Sequence, residues 1–292
     1  VVPDTTTRAL ELRKGSADVA LNALTADMVL ALRRDPNLEV QKTPGTVLAY
    51  VAMNLSDPIL KDVRVRRALA YALDRRPLIH YLWRDEARPA YSILPTQSWA
   101  FTADLPTYDC NPLRARELLD QAGYRATNGV RFHLTMKTST EETSRLLAAV
   151  LQQQWRAIGV ELDIKTFEFA TFFADVQKGA FQLYSLRWIG GNNDPDMFQY
   201  AFHSAFTPPA GANRSHYSNP EVDRLIESGR REIDPDKRKR LYVRIQQVLA
   251  EDLPYIDLWY LDNVVVHSRR TSNFTISPPG NYDFLTTVEL HQ

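Results

Sequence analysis

Between residues 130 and 165, two alternating segments flank one long amphipathic segment, and the stops between them are tight. Val130, Phe132, Leu134 and Met136 alternate with Arg131, His133 and Thr135, the period of a half-buried strand. Thr140 to Ile158 then places Leu147, Val150, Leu151, Gln154 or Trp155, and Ile158 along one helical face, and Gly159 ends the helix. Val160, Leu162 and Ile164 resume the alternation with Glu161, Asp163 and Lys165. A strand, a long helix and a strand joined this closely form a crossover, which requires the two strands to run parallel. The expected fold class is α/β.

The rest of the chain is punctuated in the same way. Thr5 to Lys14 reads as a helix stopped by Gly15, Val19 to Leu21 as a short strand, and Asp27 to Arg34 as a second helix. Leu38, Val40 and Val47 to Met53 are extended, with Thr43-Pro44-Gly45 read as an interruption. Asp62 and Asp74 stand where caps belong, ahead of helices carrying Val65, Ala68, Leu69 and Ala72, and then Leu78, Ile79 and Leu82. Arg64, Arg66, Arg67, Arg75 and Arg76 on these helices read as a solvated face beside Asp62, Asp74 and Asp85. Asn111-Pro112, Asn219-Pro220 and Asp234-Pro235 each open a helix, because proline fits the first helical position. Tyr255 to Tyr260 and Asn263 to His267 read as two strands.

Charge and composition remove several classes of function. Lys plus Arg balance Asp plus Glu at 35 each, so no global field draws the chain to nucleic acid or to an anionic surface. A single cysteine, Cys110, excludes an intrachain disulfide and any multi-cysteine metal site, and the six histidines show no zinc spacing. Nucleophile-elbow, phosphate-loop and dinucleotide motifs are absent, and no two carboxylates stand out as a hydrolytic pair. No cofactor is expected. Val1-Val2-Pro3-Asp4 lacks the features of a signal peptide, which leaves a cytoplasmic location or a targeting segment upstream.

One loop has the composition of a binding site. Trp188-Ile189-Gly190-Gly191-Asn192-Asn193-Asp194-Pro195-Asp196 follows the apolar run Phe181 to Leu186. It sets a flat ring beside two glycines that admit close backbone approach and beside a group of short polar side chains. A surface turn has a similar composition. Trp188 is the candidate for stacking, Gly190 and Gly191 for backbone contact, and Asn192 and Asn193 for hydrogen bonding.

Asp62-Val63-Arg64-Val65-Arg66-Arg67-Ala68-Leu69-Ala70-Tyr71-Ala72-Leu73-Asp74-Arg75 closely resembles a signature of extracytoplasmic solute-binding proteins. The family in question is solute-binding family five, of the dipeptide, oligopeptide and nickel ABC importer class. Pro89-Ala90-Tyr91-Ser92, Asn111-Pro112 with Ala122-Gly123-Tyr124, Trp188 to Asp196, and Tyr217 to Asp223 match in the same order. So do Arg240-Leu241-Tyr242 and Leu253-Pro254-Tyr255-Ile256. The resemblance implies the C-terminal lobe of a two-lobed, type II-like periplasmic-binding-protein fold, a mixed sheet flanked by helices, with fragments of the N-terminal lobe. Residues 1–46 would be a partial N-terminal lobe segment, 47–264 the C-terminal solute-binding lobe, and 265–292 a return segment.

The same resemblance implies a monomeric, periplasmic or lipid-anchored receptor. It would close on a peptide-like or other small polar solute and deliver it to a membrane permease, with no nucleic-acid partner and no chemistry on the cargo. A carboxylate-based hydrolase, or a sensor or chaperone on the same fold, is the alternative. Tyr50, Asn54 and Tyr91 match segments lining the family's cleft. In peptide-binding members the loop reads Trp-x-x-Asp, and that aspartate pairs with the ligand's α-amino group; Gly191 stands at this position. A buried ammonium without its carboxylate costs about 3–5 kcal/mol. The implied solute is thus a blocked peptide, an opine, a sugar or another polar molecule, unless Asn193 or Asp194 shifts register to replace the acid.

Overall fold

The computed structural model describes residues 2–189 and 194–291, so Gly190, Gly191, Asn192 and Asn193 lie outside the described residues. Asp4 caps α1 (Thr5–Lys14), accepting from the Thr7 amide at 2.7 Å, and Gly15 closes it in the left-handed region at φ 73°. β1 (Val19–Leu21), α2 (Ala26–Leu32) and the long β2 (Leu38–Met53) follow. α3 (Val63–Tyr71) and α4 (Arg75–Trp83) begin on Asp62 and Asp74, whose carboxylates accept from the amides of Arg64 and Arg76 at 2.8 and 3.2 Å. Next come β3 (Ala87–Pro89), α5 (Pro112–Gln121), β4 (Phe132–Ser139), α6 (Glu142–Arg156) and β5 (Val160–Phe167). The remaining elements are α7 (Phe169–Gln177), β6 (Leu183–Trp188), α8 (Met197–Phe202), α9 (Pro220–Arg231), α10 (Pro235–Asp252), β7 (Tyr255–Ser268), β8 (Thr271–Ser272) and β9 (Glu289–Leu290).

β4 and β5 are parallel, paired from Phe132–Val160 to Ser139–Phe167, as the crossover pattern requires. They form one edge of a mixed sheet ordered β1-β7-β2-β6-β4-β5, with β3 also on β7. β2 shows how the sheet divides its core. Ala49, Val51 and Met53 face a cluster built with α3, α4, α5 and α6. Leu48, Tyr50 and Ala52 face the opposite cluster, built with α7, α8, α9 and α10. Alternation along one strand thus feeds two helical layers.

Two kinds of expectation are corrected, strand breaks and exposed arginines. The apparent interruption at Thr43-Pro44-Gly45 lies inside β2. β2 and β7 stay paired from Leu38–Ser268 to Ala52–Tyr255, and the register jumps between the Thr43–Asn263 and Val47–Leu261 pairs. An irregularity of this kind accommodates proline, which cannot donate to a ladder. β7 is likewise one strand where the sequence suggests two. The second correction concerns the arginines. Arg66 and Arg75 are only 5% and 7% exposed. Arg66 donates to the carbonyls of Leu60, Lys61, Asp252 and Leu253, and Arg75 to those of Asp257 and Tyr108. They bind backbone ends that would otherwise be buried without partners.

Beyond the register jump, the early half of β2 and the late half of β7 carry their own small clusters. Leu12, Val29 and Leu32 pack with Leu38 and Val266, and Ile276 and Phe284 pack with Leu21 and Val265. Among the described residues, no helix is long and apolar enough to cross a membrane.

Candidate functional site

β6 pairs with β2 along its whole length, from Met53–Leu183 to Leu48–Trp188. Its parallel pairing with β4 covers only Met136–Leu183 and Lys137–Tyr184. Past that point the two strands splay, and the sheet opens into a wedge between Ser139 at the end of β4 and Trp188 at the end of β6. A cavity of about 500 Å³ fills the wedge. A crevice outside the carboxyl ends of neighbouring parallel strands is where open α/β sheets place ligands, and this volume suits a small organic molecule.

Trp188 and Tyr50 both line the cavity, brought together by the β2–β6 register. Their rings stack with centroids 6.0 Å apart and planes 18° apart. Tyr50 in turn stacks on Tyr255 at 4.4 Å and meets Tyr184 edge-on at 6.1 Å. The guanidinium of Arg214 lies over Trp188 and over Phe173, at 5.8 and 5.3 Å from the ring centroids. Arg214 is 8% exposed, its Nε has no hydrogen-bond partner, and among the described residues no carboxylate pairs with it. Burial holds the hydroxyls of Tyr50, Tyr184 and Tyr255 protonated, well above the usual tyrosine range, while the charge of Arg214 pulls them partly back.

The opposite wall is the amino end of α6. Glu141 precedes it without a side-chain capping bond, and its carboxylate faces Ser144 at 2.5 Å and Arg187 at 3.6 Å. Trp83 and Trp259 close the side of the cavity next to α4.

The other residues singled out from the sequence fall elsewhere. Asn54 donates to the carbonyls of Gly179 and Phe181 at 3.3 and 3.0 Å and accepts from the Ser56 amide, so it pins the turn between α7 and β6. Tyr91 lies under Arg75, donates to Asp109 at 3.1 Å, and borders a separate pocket of about 30 Å³ with Gln246 and Asp257. The four loop residues Gly190, Gly191, Asn192 and Asn193 lie outside the described residues. Sequence reasoning missed Arg214, Trp83, Trp259, Phe173 and Glu141. Arg214 sits in an irregular stretch with no motif, and only its burial beside aromatic rings distinguishes it. Among the described residues no group of three or more His, Cys, Asp or Glu side chains is placed to hold a metal.

Comparison with known proteins agrees with this architecture. The probable di/tripeptide-binding protein 5 of Pseudomonas aeruginosa is 28% identical over 284 residues, covering 97% of this chain and 53% of the relative. Heme-binding protein A of Haemophilus influenzae is 27% identical over 286 residues, covering 97% and 51%. Among solved structures, the ABC transporter substrate-binding protein CtaP of Listeria monocytogenes superposes with a TM-score of 0.90 at 25% identity, covering all of this chain and 59% of that one. The chain therefore spans about half the length of the curated relatives it matches. The family described as bacterial extracellular solute-binding proteins, family 5 Middle, matches residues 1–208, and this α/β chain belongs to that family.

Proposed function

We propose that this chain supplies one jaw of an extracytoplasmic receptor that captures a small solute and hands it to the permease of an ABC importer. The single observation that carries this reading is the wedge at the ends of β4 and β6, with Trp188 and Tyr50 stacked on its wall. The names of relatives support it, because they include di/tripeptide-binding and heme-binding proteins. Relatives of nearly equal identity carry different ligand names, so identity alone does not choose the solute.

Residues 47–264 form the gripping lobe in this proposal, while 1–46 and 265–292 belong with a second lobe. The small clusters beyond the register jump of β2 and β7 support that division. Both lobes touch the solute only in the closed form, so the solute shifts an existing open–closed equilibrium. The receptor acts as a monomer in the periplasm or lipid-anchored outside the membrane, uses no cofactor, binds no nucleic acid, and leaves its cargo chemically unchanged. Trp188, Tyr50 and the loop residues Gly190, Gly191, Asn192 and Asn193 make the contacts.

The test is a thermal-shift screen of the full chain, as the cell makes it, against libraries of peptides, blocked peptides, sugars and organic acids, with mass spectrometry of the recovered solute. A saturable rise in melting temperature with the solute recovered intact is the expected result. Turnover of any bound compound would overturn the receptor reading in favour of an enzyme.

A further inference from the structure

We propose that Arg214 is the anchor for a carboxylate on the solute, and that the solute is an organic acid with an apolar body. This inference rests on the receptor reading and specifies what that receptor holds.

The argument starts from charge. Three ionised side chains line the wedge: Glu141, Arg187 and Arg214. Glu141 faces Arg187 at 3.6 Å, which leaves Arg214 as the unmatched charge. A buried cation is tolerated when an acid or several carbonyls surround it, as four carbonyls surround Arg66. Among the described residues Arg214 has no acid; the faces of Phe173 and Trp188 lie against it, and the neutral hydroxyls of Tyr50, Tyr184 and Tyr255 are its polar neighbours. Aromatic faces hold a guanidinium in place but leave its in-plane N–H groups free to donate.

The second observation is independent of charge. The indole N–H groups of Trp83, Trp188 and Trp259 are all buried without an acceptor, as is Arg214 Nε, and all four residues line this one cavity. Those four N–H groups have almost no accessible surface and are closed off from the cavity as they stand, so the ligand meets the Nη end of Arg214. Among the described residues no lining acceptor atom is buried without a partner to compete for it. A ligand that complements this wall brings acceptors, and a carboxylate opposite the planar guanidinium fork is the acceptor with matching geometry. The first turn of α6 opens on the same space, and its free amides favour the same sign of charge. The remaining surface comes from Leu147, Phe169 and Phe173, which suits an aliphatic or aromatic body.

The experiment compares matched acids and amides. N-acetyl dipeptides and aryl-alkanoic acids, each paired with its own carboxamide, are titrated into the full chain and followed by calorimetry and melting temperature. The free acids should bind roughly 30-fold more tightly than the amides, the usual effect of one charge-assisted hydrogen-bonded pair. Arg214→Gln should abolish that preference by weakening the acids alone. Arg214→Lys should retain the preference at reduced affinity, which a purely structural role would not produce. The wild-type comparison does not depend on whether either variant folds. Equal binding of acids and amides would overturn the proposal while leaving the receptor reading intact. Silence of the whole panel would overturn the proposal as well, and the broader library screen then decides the receptor reading separately.

Discussion

Arg66 and Asp257 show opposite ways of burying charge in this fold. Arg66 is pushed down to about 10 chiefly by burial, with Asp252 drawing it back, and it remains a cation because backbone carbonyls take up its donors. Arg66→Met fills the space but strands the carbonyls of Asp252 and Leu253 at the end of α10 and those of Leu60 and Lys61 ahead of α3. With hydrogen bonds to a charged donor worth about 1.5–3 kcal/mol, urea unfolding should register a loss of about 3 kcal/mol. Asp257 has no such support. Its Oδ1 is buried without a partner, and burial raises its pKa to about 7 against the pull of Arg75. In the unfolded chain an aspartate titrates near 3.9. Between roughly pH 4 and 7 the unfolded chain releases this proton while the folded one keeps it, so this residue costs stability as pH rises and the cost levels off above about pH 7. Asp257→Asn should therefore stabilise the protein at pH 8 relative to pH 5 by about 3 kcal/mol compared with wild type. Denaturation curves at the two pH values check it. An unchanged pH dependence would mean that Asp257 stays ionised.

Helix starts carry much of the local specification. Asp234 accepts from the amides of Asp236 and Lys237, both at 3.0 Å, and so satisfies two of the free donors at the head of α10. Asp234→Ala should cost about 1 kcal/mol in thermal or urea unfolding, with solute affinity unchanged. Elements with such caps were legible in the sequence: α3, α4, α5, α9 and α10 all start on the Asp or Asn that marks them. α7 and α8 were not, because neither has a side-chain capping bond and both are short and largely apolar, so periodicity gave no edge to read. The crossover was legible because one period switches to the other at Gly159. The site was half legible. Trp188 and Tyr50 carried a signal, one through its loop and the other through resemblance, and strand register unites them. Arg214 and Trp259 reach the same cavity from distant irregular or core segments, and no local pattern encodes that convergence.

At the scale of the whole molecule, the double-strand connection of β2 and β7 is the only long pairing that runs, among the described residues, from the large core to the small clusters of residues 1–46 and 265–292. Any closure of two lobes has to be absorbed there, and of the two irregularities in the pairing, at Thr43/Val47 and at Ala49/Tyr50, the jump at residues 43–47 lies nearer the small clusters and can absorb it. Gly45 occupies that jump. A Cβ on it would stand 2.4 Å from the carbonyl oxygen of Leu261 and 3.2 Å from Oδ1 of Asn263, and the nearest obstacle is backbone that cannot rotate away. Gly45→Val should therefore displace β7 locally, costing about 2 kcal/mol of stability. It should also weaken solute binding several-fold although no contact residue changes, because apparent affinity scales with the population able to close. Small-angle scattering with and without solute should show a smaller contraction than in wild type. Gly123→Ala is the control. It strains a left-handed position at φ 90° with nothing within 4 Å of the added carbon, so it should lower stability by about 1 kcal/mol and leave affinity and contraction untouched. If both variants weaken binding alike, lost stability accounts for the effect; if only Gly45→Val does, the bulge is the pivot.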